Sequence, residues 1–167
     1  MDNLETLEFC KLPVCNLLEH NFFIPNYQRG YRWEKQQVVD LLDDLKEFID
    51  NTEGNSSNFY CLQPIVVKLC DTETLKAEQL NSTNDNNIWY EVIDGQQRLT
   101  TIYILLSYLE NGFLKNDDTS ILQESGKELF ELEYETRKET RSFLKKIEES
   151  GSNDNIDCFY IWNAQQG

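Results

Sequence analysis

Ile88-Trp89-Tyr90-Glu91-Val92-Ile93-Asp94-Gly95-Gln96-Gln97-Arg98-Leu99 is the stretch from which the architecture unfolds. Its first six residues are rich in β-branched and aromatic side chains and have the length of a strand. After Arg98 the period changes. Leu99, Ile102, Tyr103, Leu106 and Leu109 recur at helical spacing, and Ile104 and Leu105 widen the stripe until little of it suits water. The pattern predicts a strand, a tight turn and a buried helix. Gly95 can carry the backbone through a turn that a Cβ would resist. Asp94 can cap the helix that follows, with Gln97 at the spacing of a capping box.

Two readings of this turn stand side by side. In one it is a well-capped strand-to-helix corner and nothing more. In the other, the free amides and macrodipole of the helix start favour an anion, and Arg98 supplies a bidentate donor beside them. The pentapeptide Asp94-Gly95-Gln96-Gln97-Arg98 leaves both open.

The whole chain narrows the field. With 167 residues, 40% of them apolar and 12% aromatic, it can bury one ordinary core. No apolar run approaches the length of a membrane span, and the acidic start Met1-Asp2-Asn3-Leu4-Glu5 lacks a basic leader region, so the expectation is a soluble cytoplasmic protein. The five cysteines form an odd set without a C-x-x-C pair, which argues against a disulfide framework and a zinc knuckle. A single histidine, His20, excludes a His-rich nuclease centre. A formal net charge of −15 opposes indiscriminate DNA binding, because the average field repels phosphate. Any anion contact must therefore be local, and Arg29, Arg32 and Arg98 fall in just two segments.

Along the chain, a short helix is expected to begin near Pro13, followed by an aromatic extended stretch from Phe22 to Trp33. Val38, Leu41, Leu42, Leu45, Phe48 and Ile49 predict an amphipathic helix from Glu34 to about Asp50, its carboxylates forming a solvated face. Phe59–Leu62 and Ile65–Leu69 offer strand material, interrupted at Gln63-Pro64, where the sheet is expected to begin in earnest. The Asn-rich segment 71–87 reads as an exposed connection of little internal structure. Asn111-Gly112 marks a helix stop, Arg137 and Arg141 can present a second basic face but are rather expected to pair with Glu133 and Glu135, and 151–155 reads as a polar linker. The ending at Gln165-Gln166-Gly167 lacks the look of a finished domain, so the chain is expected to be cut from a longer protein.

Ile24-Pro25-Asn26-Tyr27-Gln28-Arg29-Gly30-Tyr31-Arg32-Trp33 followed by Val92-Ile93-Asp94-Gly95-Gln96-Gln97-Arg98-Leu99-Thr100-Thr101 resembles the N-terminal domain family of Gmr-type modification-dependent restriction enzymes. The same pair is similar to that of the phosphorothioate-sensing Ssp defence proteins. Tyr134-Glu135-Thr136-Arg137 extends the likeness over most of the chain. One departure is Gln63-Pro64, where relatives commonly carry a single Gly before the apolar strand.

The resemblance implies a mixed α/β, ParB/sulfiredoxin-like fold: a small mixed sheet flanked by helices over 1–115, with a helical extension beginning in 116–167. It implies binding and hydrolysis of a nucleoside triphosphate, with Mg²⁺, coupled to restriction of phage DNA, the nuclease chemistry residing in a separate HNH domain. The roles expected on that basis place Asp94, Gln97 and Arg98 at the reaction, Asp94 also as metal ligand. Gln28, Arg29, Gly95, Gln96, Thr100 and Thr101 are expected to hold phosphate, and Tyr27, Tyr31 and Trp33 to stack on a base. Each has a plain alternative. Asp94 can be only a cap, Thr100 and Thr101 can bond back to their own helix, and the aromatic rings can be core. Two other function classes stay open: a module that binds DNA or a modified base without catalysis, and a non-catalytic assembly domain.

Overall fold

The computed structural model describes residues 10–52, 58–81, 88–109, 129–136 and 139–150. A 3₁₀ turn, Val14–Glu19, follows Pro13 and leads into the first strand, β1 (Asn21–Ile24). Then come helix α1 (Lys35–Thr52), strand β2 (Val66–Leu69), the short helix α2 (Thr72–Ala77), strand β3 (Trp89–Asp94), helix α3 (Gln96–Tyr108), strand β4 (Leu132–Tyr134) and helix α4 (Glu139–Ser150). The architecture is mixed α/β, a four-stranded sheet flanked by helices in the order β2-β3-β1-β4.

Strand β1 runs parallel to both neighbours, with Phe22 beside Tyr90 and Leu132. Strand β2 is antiparallel to β3, Val66 opposite Asp94, with a register shift between Val66 and Val67. All four residues of β1 are buried, the pattern of a central strand covered on both faces. Phe22 and Ile24 face a core with Val92, Leu99, Tyr103, Phe130, Tyr134 and Leu144, which brings α3 and α4 onto one side of the sheet. Phe23 faces the other side, packed with Trp89, Cys70 and Leu80 and with the partly buried Leu75 of α2. Each fully buried large apolar side chain here contributes roughly 1.5–3 kcal/mol.

Several elements depart from the sequence expectations. The sheet begins at Asn21, not near Phe59, because a fully buried parallel strand shows no alternation and merges with the aromatic stretch beside it. Residues 58–62 are not strand. The segment 71–87, expected to be a plain connection, contains α2: Asp71 caps it by accepting from the Thr74 amide at 2.7 Å, a bond that holds the Asp71 carboxyl below its usual range. Leu80 then turns inward to the core. Within the stretch read as a helical extension, Leu132–Tyr134 is an edge strand of the same sheet. The expected features at 111–112, 137 and 151–155, and the end of the chain, lie outside the described residues. Among the described residues no helix is long and apolar enough to cross a membrane.

Three parallel strands share one carboxyl edge. At that edge the chain leaves β1 into 25–33, β3 into the turn at Gly95, and β4 into Glu135, while 63–65 enters β2 beside Asp94. Ligands of open α/β sheets bind outside the carboxyl ends of strands.

Candidate functional site

The turn is set by Gly95, whose φ of +91° lies in the left-handed region. A Cβ here would also stand 3.1 Å from Cα and Cγ1 of Ile65 and 3.2 Å from Nη2 of Arg98, so the position requires glycine on two counts. Gly95 itself is the helix N-cap, without a side-chain bond, and the first helical bond runs from the Leu99 amide to the Gly95 carbonyl at 3.0 Å. The amides of Gln96, Gln97 and Arg98 precede that bond, as the first donors of any helix do. The expected cap on Asp94 is therefore corrected: Asp94 is still extended as the last residue of β3, and its side chain, 75% exposed, lies 3.9 Å from Nη2 of Arg98.

Gln97 does not reach back to Asp94 as a capping box requires. Its Oε1 accepts from the Arg32 amide at 2.6 Å and the Trp33 amide at 3.2 Å, and its Nε2 donates to the Gly30 carbonyl at 3.0 Å. Gln96 donates to the Arg29 carbonyl, and Gln28 returns a bond to the Ile93 carbonyl at 2.6 Å. The two segments that the sequence singled out are thus joined side chain to backbone in both directions. One amide that satisfies three backbone groups is well suited to fix a loop with no regular structure of its own.

The threonines complete the seam from within. Thr101 donates to the Gln97 carbonyl at 2.9 Å and meets the Tyr31 hydroxyl at 3.0 Å. Burial pushes the Tyr31 hydroxyl above its ordinary value, the Thr101 bond acting the other way. Thr100 donates to the Gln96 carbonyl at 2.8 Å and meets the Tyr134 hydroxyl at 2.7 Å. Both threonines are 2% exposed, their hydroxyls bonded back to carbonyls of their own helix.

Arg98 is held by neutral acceptors. Nη1 donates to Oε1 of Gln63 at 3.0 Å and Nη2 to the Pro64 carbonyl at 2.5 Å, while Nε is buried without a hydrogen-bond partner among the described residues. Oε1 of Gln96 is buried in the same condition. The Arg29 and Arg32 side chains are exposed, and neither forms an ion pair among the described residues. Tyr27 is 62% exposed, its hydroxyl donating to Oε1 of Glu91 at 2.8 Å. Lys68 closes on the other oxygen of Glu91 at 2.9 Å, and that bond raises the Lys68 ammonium above its usual range. Trp33 is half-buried, with its amide on Gln97.

The model of the GmrSD restriction endonuclease N-terminal domain matches residues 14–167. The chain belongs to that family. It is therefore part of a restriction, phage-defence protein. No curated protein matches it.

Within this GmrSD N-terminal domain, the structure brings Gln28, Arg29, Tyr31, Gly95, Gln96, Gln97 and Arg98 to one edge of the sheet. It also adds residues that no sequence rule selected. Gln63 and Pro64, notable in the sequence only as a departure from the pattern, hold Arg98. Glu135 accepts from the Asn26 amide and from its Nδ2, both at 2.7 Å, and was visible only as a letter of the Tyr134–Arg137 motif. A carboxylate that acts across 109 positions leaves no local trace in sequence.

Proposed function

We propose that this domain binds a nucleoside triphosphate at the carboxyl edge of its sheet and hydrolyses it as the sensing step of DNA restriction. The observation that carries the reading is the seam between residues 28–33 and the Gly95 turn, which sets two arginine-bearing segments beside uncapped helix amides. Such a helix start favours an anion through its free N–H groups and its dipole.

In this reading the amides of Gln96, Gln97 and Arg98 cradle a phosphate that only glycine at 95 lets approach closely. Arg98 neutralises phosphoryl oxygens, exchanging its neutral acceptors for charged ones, and Arg29 acts from the loop. Gln97, saturated by the loop, works by orienting it rather than by holding a water. Tyr27, with its hydroxyl tethered and its ring exposed, offers a face for a base. Among the described residues no group of three or more His, Cys, Asp or Glu side chains gathers, so Mg²⁺ would rest on Asp94. Phosphate oxygens and water would complete its shell, an arrangement usual for this ion. The ion would supply charge neutralisation between phosphates.

The exposed Arg29, Arg32 and Tyr27 ring also favour a second reading, in which the same edge contacts DNA or a modified base without catalysis. Phosphate release from each triphosphate with Mg²⁺ separates the two. Hydrolysis predicts release that Arg98→Ala abolishes; the binding module predicts none, with DNA retention that falls as salt rises.

A further inference from the structure

We propose that Glu135 is a positioning residue for the loop 25–33, fixing the turn that presents Gln28 and Arg29. The inference rests on the nucleotide reading only for what that loop touches. Residues 25–28 form a turn closed by the Gln28 amide on the Pro25 carbonyl at 3.0 Å. Inside it, Asn26 has both its backbone amide and its side-chain amide on the two oxygens of Glu135. Charge-assisted bonds of this kind are roughly twice as strong as neutral ones. The Glu135 amide donates to the Ile24 carbonyl at 3.0 Å, carrying the β1–β4 ladder one step beyond the last pair, Ile24 and Tyr134.

The loop is thus gripped near its start by Glu135 and near its end by Gln97, with Gln28, Arg29 and Tyr31 suspended between. Tyr134, next to Glu135, meets Thr100 of α3. The end of β4 therefore touches both motif segments.

The clasp works through hydrogen-bond geometry, and this sets it apart from a general need for negative charge. Gln at 135 keeps one acceptor for the Asn26 amide, and its NH₂ can donate to the oxygen of a flipped Asn26 side chain. Asp at 26 places two carboxylates face to face, a clash that Gln at 135 relieves.

Amide hydrogen exchange is read by mass spectrometry on the 167-residue chain as wild type, Asn26→Asp, Glu135→Gln and the double variant, with α3 as the control for folding. Asn26→Asp is expected to speed exchange across 26–33 by about tenfold or more, and Glu135→Gln by no more than about threefold. The double variant returns to within about threefold of wild type. In parallel, ATP with Mg²⁺ is titrated: KM rises in Asn26→Asp more than kcat falls, and the double variant recovers it. Wild-type exchange in Asn26→Asp, or a double variant that stays loose, overturns the proposal. If Asn26→Asp loosens α3 as well, recovery of both regions in the double variant supports the clasp and failure to recover overturns it. If the exchange pattern holds while wild type takes up no ATP, the clasp stands and the nucleotide reading falls.

Discussion

Nη1 of Arg98 donates to Oε1 of Gln63 at 3.0 Å, so the arginine of the turn is held by an amide from the approach to β2. With the Pro64 carbonyl on Nη2, the guanidinium faces two neutral acceptors, which bind it less strongly than phosphate oxygens do. Gln63→Ala removes a competitor as well as a bond. It is expected to cost about 1 kcal/mol in urea unfolding while triphosphate affinity stays level or rises. A clear loss of affinity with the fold intact would instead place Gln63 on the ligand.

Gly95→Ala meets two obstacles, the φ of +91° and the Ile65 backbone 3.1 Å from the new Cβ. The left-handed conformation alone costs an L-residue roughly 1–2 kcal/mol, and the contact with a backbone atom adds to it. Chemical denaturation is expected to show a loss of at least about 2 kcal/mol. A variant within about 0.5 kcal/mol of wild type would mean that the turn readily takes another path.

Gln97→Ala deprives the Gly30 carbonyl and the Arg32 and Trp33 amides of one shared partner. Water can reach the exposed Arg32, so the expected loss is about 1–3 kcal/mol rather than the sum of three bonds. Faster proteolysis within 28–33 should accompany it, with cleavage elsewhere unchanged.

Cys70 is buried, and that burial, reinforced by Glu91 and Asp71, pushes its thiol up to about 11 from an ordinary 9.0. A raised folded-state value means that the stabilisation is fully present below 9.0 and is lost as pH rises through about 11. Lys68, also raised, acts in the same direction at the alkaline end. The urea midpoint is therefore expected to fall between pH 9 and 11 and the fall to shrink in Cys70→Ala. At pH 8, alkylation should label the exposed Cys10, Cys15 and Cys61 well before Cys70. Early labelling of Cys70 would contradict its place beneath Trp89 and Leu80.

Local chemistry was legible in the sequence wherever periodicity or backbone conformation carried it. The β3–α3 corner, the amphipathic α1 and the need for glycine at 95 all follow from spacing and sterics. Thr100 and Thr101 could be read two ways because a hydroxyl in a helix bonds inward as readily as outward. Asp94 misled because capping-box spacing was matched while Gly95 took the cap position, which left Gln97 free for the loop. Strand β1 escaped because a short strand buried on both faces has no alternating pattern to betray it, and β4 because three residues are too few to show a period. Gln63 and Glu135 act across distances in sequence that no window spans.

Calorimetric titration of the chain with each nucleoside triphosphate and Mg²⁺, on wild type and Arg98→Ala, reaches the central claim most directly. Saturable heat from at least one triphosphate, weakened about a hundredfold or more in the folded Arg98→Ala variant, is the predicted result. No heat from any triphosphate, or equal affinity in the two proteins, would contradict it.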